Sequence, residues 1–345
     1  MDYPVRQPGG WLSFRGPGVR ERIVATARTL RFRRKARRLP TPSLEAVRAA
    51  PAGLAAGDVV LICVTRDAAK LLPSFLAHYR RIGVSRFAFV DDRSEDGTRS
   101  LLEAQPDVDL FVSDADFRQS AGGLVWRDML VERYGRGRWY LSVDSDEYLV
   151  YPGYEELPLA SFVADLERHR LRRAHAPMLD IYPDGPLGGS RPPAAVEAFP
   201  TETSPFFDGA GYGIDHEMYG TAVRGGPRRR LFGVEMRMSK FPLLCADRAT
   251  RFAGGSHHGP LPLGRNFLPV HAVLLHHKFP AGAVEDFHEI ARRGTHSGKS
   301  AFYKKIVAQD DFNEATDLRY PGSIRFEGSQ QLVDLGFMRD LRQPR

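Results

Sequence analysis

Apolar and polar residues alternate in blocks along the first half of the chain. Val59–Val64 ("VVLICV") is a continuous apolar run, the pattern of a strand covered on both faces. In the following "AAKLLPSFLAHYRRIGV", Leu72, Phe75, Leu76 and Tyr79 fall on one helical face, and Gly83 is a natural stop. "SRFAFVDD" predicts a second strand. "RSEDGTRSLLEAQ" predicts a turn and a helix, capped by Asp96 or Thr98, with Leu101 and Leu102 inward. "VDLFVSD" predicts a third strand, "SAGGLVWRDMLVERYG" a helix, and "RWYLSVDSDEYLV" a fourth strand. Strand and helix alternating over residues 58–150 predict an α/β domain with a mostly parallel, Rossmann-like sheet and helices on both faces.

Beyond residue 150 the blocks loosen. Pro and Gly crowd the stretch from Pro183 to Gly226. Strands are expected in "AHAPMLDIY", "RLFGVEMRMSKFPLL" and "VHAVLLHHKF", and a helix from Ala283 to Arg293. Residues 39–57 are rich in Pro, Ala and Gly and predict a linker with a short helix at most. The chain divides into an arm and linker (1–57), an α/β half (58–150) and an irregular α+β half (151–345).

With 42% apolar and 26% charged residues among 345, a globular core is expected. No apolar run approaches the roughly 20 residues of a membrane span. The N-terminus lacks the apolar region of a secretory signal. Two cysteines, Cys63 and Cys245, make neither a disulfide framework nor a zinc cluster, which fits a reducing cytoplasm.

The net charge of +7 is localised. Arg15 to Arg38 holds ten Lys or Arg and one acid, Glu21, so residues 39–345 together carry −2. Within this arm Val19, Ile23, Ala27 and Leu30 make a helical apolar stripe. A basic amphipathic helix suits an anionic membrane surface or a nucleic acid; a solvated leader is the plainer reading. The expectation is a cytoplasmic protein touching the inner face of the membrane through residues 15–38, with no nucleic acid partner.

Asp67, Asp91, Asp92, Asp114, Asp144 and Asp146 all follow predicted strand ends, on the rim where α/β sheets bind ligands. Neither a dinucleotide glycine fingerprint nor a P-loop lysine motif is present. Asp144 and Asp146, two residues apart, can converge on a hard cation, Mn²⁺ or Mg²⁺, whose shell substrate phosphates complete. A polar turn after a strand is the alternative.

The run "VVLICVTRDAAKLLPSFLAHYRRIGVSRFAFVDDRSEDGT…RWYLSVDSDEYL" resembles the nucleotide-sugar half of bacterial glycosyltransferases of family 2, which have the GT-A fold. The resemblance covers residues 58–150. It implies transfer of a sugar from a UDP- or GDP-linked donor to a glycan or lipid-linked acceptor. It implies that Asp144 and Asp146 hold the metal on the diphosphate. Asp91 or Asp92 would lie near base and ribose, with Thr65 and Asp67 on the same rim. Local capping of the turn is the other reading of Asp91 and Asp92.

In "LLHHKF", His276 and Lys278 share a strand face, for a metal and a phosphate respectively. This stretch, and His296 in "RRGTHSG", resemble late segments of related transferases. Arg228 and Arg230 in "GGPRRRLFG" would share a strand face as a diphosphate clamp, or line a solvated edge. His257 and His258 fall in a glycine-rich loop. The inverting route needs a base, and the family's "E-D" motif has no clean copy here. Asp180, Asp215 and Glu217 are the candidates. Two other readings are a non-catalytic nucleotide- or sugar-binding module of the same fold, and a phosphohydrolase with Asp144 as nucleophile.

Overall fold

The computed structural model describes all residues except 7–9, 52, 257–258, 295–299 and 343–345, and His257, His258 and His296 therefore lie outside the described residues. The chain opens with β1 (Asp2–Tyr3), the arm helix α1 (Val19–Ala36) and β2 (Glu45–Arg48). The linker thus supplies an edge strand where a short helix was expected. β2 pairs antiparallel with β5 (Val108–Val112), and Ser43 N donates to Asp114 Oδ1 at 2.9 Å beside it.

Between them come β3 (Val60–Thr65), α2 (Leu72–Arg81), β4 (Arg86–Asp91) and α3 (Thr98–Glu103), and after β5 come α4 (Leu124–Tyr134) and β6 (Arg138–Ser142). β6, β3, β4 and β5 are parallel neighbours in that order. β13 (Leu243–Ala246) closes the far edge, antiparallel to β6. The apolar runs are buried on both faces: β4 is buried at every position. Successive strands step from β3 to β5, then the chain returns to the other side of β3 with β6. That reversal makes a topological switch point at the carboxyl ends of β3 and β6, the place where open α/β sheets bind ligands.

The single expected fourth strand is two. β6 ends at Ser142, a turn spans Val143–Asp146, and β7 (Glu147–Val150) enters a second sheet. The turn is braced reciprocally: Glu147 N donates to Asp144 O at 3.1 Å, and Asp144 N to Glu147 Oε2 at 3.0 Å. After α5 (Leu159–Arg168), β8 (Ala176–Tyr182) and β9 (Phe206–Asp208) join this sheet, with β16 (Val273–His276) and β17 (Ser323–Arg325), in the order β17-β9-β8-β16-β7. β12 (Ser239–Lys240) pairs with β8. One apolar cluster includes Leu61 and Phe87 of the first sheet and Leu149, Leu179 and Leu274 of the second.

β10 (Tyr212–Glu217) and β11 (Gly220–Arg224) form a separate sheet with β1. α6 (Pro227–Phe232) occupies part of the stretch expected as a strand. Pro227 favours a helix start there, because its missing N–H is an orphan in the first turn. β14 (Arg251–Ser256) pairs with β15 (Gly259–Leu261). α7 (Ala283–Arg293), α8 (Ala301–Val307) and α9 (Ser329–Asp334) complete the chain. Among the described residues, no helix is long and apolar enough to cross a membrane.

Candidate functional site

The second sheet sets one row of ionisable groups in register. His276 of β16 is the cross-strand partner of Glu147 on β7 and of Asp180 on β8. The Asp144–Asp146 turn abuts this row, because Glu147 follows it directly. Asp144, Asp146, Glu147 and Asp180 therefore converge where the two sheets meet, and each has a cation of the chain beside it.

Lys240 Nζ lies 2.6 Å from Asp144 Oδ2 and 2.5 Å from Glu147 Oε1, and only 1% of it is exposed. Arg127 of α4 donates to Asp144 Oδ1 at 3.2 Å and to Ser142 Oγ at 3.0 Å. Gly123, with φ +75°, makes room for that arginine: a Cβ there would sit 2.5 Å from Arg127 Nη1. Asp146 Oδ2 receives Lys278 Nζ at 3.2 Å and faces His276 Nε2 at 3.2 Å. Asp180 accepts both arms of the Arg228 fork at 2.6 and 2.8 Å and meets His276 Nδ1 at 2.6 Å.

Burial raises the pKa of every one of these acids, and the cations decide the outcome. For Asp144, Lys240 and then Arg127 outweigh burial and hold the carboxyl below its usual range. For Asp146, Lys278 and His276 outweigh it by more, and the group stays well below. Glu147 goes the other way: burial wins over Lys240 and raises it. Asp180 is held down by Arg228 and His276 against burial. Burial alone would lower His276, but Asp146 and Asp180 raise it.

Two sequence readings change as a result. With a carboxylate at each ring nitrogen, His276 has both nitrogens engaged, an arrangement that favours the protonated ring and competes with metal binding. Asp146, Glu147 and His276 place ligand atoms within 4.8 Å of one another, close enough to hold a metal ion, and the same atoms take part in the salt-bridge row. Asp180 is fully buried and spent on Arg228 and His276, so it positions His276 and is not placed to take a proton from an acceptor.

The remaining residues separate clearly. Arg228 and Arg230 sit on a helix, and their forks bind Asp180 and Asp208, leaving no clamp for a diphosphate. Asp215 is exposed and accepts from His216 N, while Glu217 pairs with Arg224; both lie on the β1-β10-β11 sheet. Asp67 accepts from Glu95 N at 2.7 Å and from Arg293 at 3.0 Å. Asp91 accepts from the backbone N–H and hydroxyl of Ser94, the local turn brace that was its plainer reading.

Asp92 is different. It is 7% exposed, and its Oδ1 has no hydrogen-bond partner among the described residues. Burial, against the pull of Arg66 and Arg93, pushes its carboxyl up to about 6. Thr65 Oγ1, at the neighbouring strand end, is likewise buried without a hydrogen-bond partner, whereas Arg66 Nε lies 3.6 Å from Asp67 Oδ2 in an ion pair. Asp92 N donates to Thr65 O at 2.9 Å, so the two residues sit side by side at the carboxyl end of the sheet. Buried polar atoms left without partners are uncommon and point to a ligand or ordered water.

The donor set fits a hard divalent cation at Asp146 and Asp144. Both cation contacts of Asp146 fall on Oδ2, Asp144 is 38% exposed, and carboxylate oxygens have further lone pairs. Charge balance alone does not demand such an ion, since Lys240, Lys278, Arg127 and Arg228 already answer the four acids.

Sequence reasoning missed Lys240, Arg127 and Arg66. A lysine inside the otherwise apolar "MSKFPLL", and an arginine beside Trp126 on a core helix, were the available signals, because such residues are rarely buried unless paired. No family model matches the chain, and no curated protein matches it by sequence.

Proposed function

We propose that this protein is a glycosyltransferase of GT-A-like architecture that takes a sugar from a nucleoside-diphosphate donor. The observation that carries the reading is the pair of buried oxygens without hydrogen-bond partners, Thr65 Oγ1 and Asp92 Oδ1, at the carboxyl ends of the adjacent strands β3 and β4, with β6, which leads into the Asp144–Asp146 turn, on the other side of β3. Acceptor-only Asp92 suits a base N–H or a ribose hydroxyl. Thr65 offers both a donor and an acceptor. The diphosphate then reaches toward the turn at the carboxyl end of β6.

At the turn, Asp146 and Asp144 would hold Mn²⁺ or Mg²⁺, which supplies charge neutralisation of the leaving diphosphate when bound. Lys278 stands beside Asp146, 14% exposed, as a point charge for a phosphate oxygen. Asp180 and Arg228 fix His276, and His276 fixes Asp146. Lys240 keeps Asp144 ionised in a buried place and pairs with Glu147. Arg127 holds the carboxylate of Asp144 from below. The acceptor is a glycan or a lipid-linked sugar.

A second reading, a nucleotide-binding module without catalysis, draws support from the complete internal neutralisation of the acids. One experiment separates the two: thermal shift with UDP and GDP, with and without Mn²⁺, followed by donor hydrolysis. Stabilisation that requires Mn²⁺ and is lost in Asp146→Asn, with turnover of a UDP- or GDP-sugar, fits the transferase. Nucleotide stabilisation indifferent to Mn²⁺ and to that substitution, without turnover, fits the module. No stabilisation by either nucleotide removes both.

A further inference from the structure

The arm helix α1 is mounted with Val19, Ile23 and Leu30 facing away from the protein. It docks through small side chains: Ala25 is 1% exposed and Thr29 6%. Thr29 Oγ1 donates to Ala25 O at 2.7 Å and accepts from Leu263 N at 3.0 Å. Phe32 stacks on Tyr219 at 5.7 Å, and Arg33 donates to Ala249 O at 2.9 Å. These contacts fix the rotation of the helix.

At about 100° per residue, Val19, Ile23, Ala27 and Leu30 then project on the side opposite Ala25, Thr29 and Phe32. Val19 is 75% exposed, Ile23 64% and Leu30 52%. A helix with only the protein to bind would turn these residues inward. Arg20 and Arg31 flank the outward stripe along one edge and Arg34 lies within it, and none of the three forms an ion pair among the described residues. Glu21, the arm's only acid, projects toward the flank of the docked face.

We propose that α1 is a membrane-surface helix that lays Val19, Ile23 and Leu30 into the headgroup boundary of an anionic bilayer, with the flanking arginines on the lipid phosphates. Charge complementarity selects the partner. A nucleic acid would take up the arginines but leave Ile23 and Leu30 in water; an anionic bilayer takes both sets. The proposal stands apart from the transferase reading, because its readouts do not involve turnover.

The test is flotation of the full chain with vesicles of phosphatidylcholine, alone or in equimolar mixture with phosphatidylglycerol. The wild type is expected to float with the mixed vesicles only, and less so as salt rises. Ile23→Asn with Leu30→Asn leaves the charge unchanged and should lower the partition coefficient about tenfold. Both positions are exposed, so circular dichroism should show the fold retained. Leu30→Trp should give a blue-shifted emission with the mixed vesicles. Failure to float, or unchanged partition of the double asparagine variant, overturns the proposal. So does duplex DNA binding as tight as vesicle binding and equally indifferent to that variant.

Discussion

Asp180 Oδ1 and His276 Nδ1 meet at 2.6 Å across the parallel neighbours β8 and β16, at matched register. Glu147 faces His276 from the other side at the same register, and Asp146 takes its second nitrogen. The row runs from Arg228 through Asp180 and His276 to Asp146. It turns the site's acids into a charge-balanced unit before any ligand arrives. Each partner is buried or nearly so, and deleting one leaves an uncompensated charge.

Lys240 gives the sharpest case. Lys240→Met leaves Asp144 and Glu147 without their shared cation in a place where Glu147 is 1% exposed. Urea denaturation should show a loss of about 3–5 kcal/mol. Adding Glu147→Gln should recover part of that loss, because one stranded charge is removed.

Lys278 competes with any divalent ion for Asp146. Replacing it by Met removes a positive charge 3.2 Å from Oδ2. Mn²⁺ affinity, measured by calorimetry without nucleotide, should then rise about tenfold. Unchanged affinity would place the ion elsewhere.

Asp92 should trade stability for binding. Its folded pKa, raised to about 6, lies above the unfolded value of 3.8. Between these values the folded state binds more protons, so stability falls as pH rises. Asp92→Asn should therefore melt higher than wild type at pH 7, by about 1 kcal/mol or more, while losing UDP or GDP binding in a thermal-shift assay. A variant that is less stable at pH 7 would contradict a carboxylate whose burial outweighs its partners.

Acid should unfold the protein through buried histidines. Burial lowers His78 and His271 to about 3, His277 to about 4, and His175 well below its usual value. Their stabilising effect is present above the unfolded pKa near 6.5 and is lost as pH falls toward their folded values. His276, raised by Asp146 and Asp180, works in the opposite direction, but it is one group against four. The melting temperature should drop steeply from pH 6.5 to 4.5. A flat profile there would mean that these rings are protonated in the fold.

The sequence was most readable where the signal was local. β3, α2, β4, β5 and α4 fall where apolar period and glycine stops put them. α7 spans the expected Ala283–Arg293. The Asp144–Asp146 turn is a turn at a strand end, as its polar interruption of an apolar run suggests. The break between β6 and β7 was not readable, because the residues on both sides are equally apolar and only their pairing partners differ. Arg228 and Arg230 of α6 were misassigned for a related reason: two residues apart, they share a face only on a strand.

The chain by itself determined the alternation of strand and helix, the acids on the carboxyl rim and the confinement of positive charge to the arm, because each follows from neighbours a few residues away. Tertiary structure decided what those acids face. Lys240 reaches Asp144 from 96 positions along the chain, Lys278 reaches Asp146 from 132, and Arg228 reaches Asp180 from 48. The same folding turned the apolar stripe of the arm outward. A buried charge is tolerated only where the fold brings an opposite one, and period in the sequence carries no information about which distant residue that is.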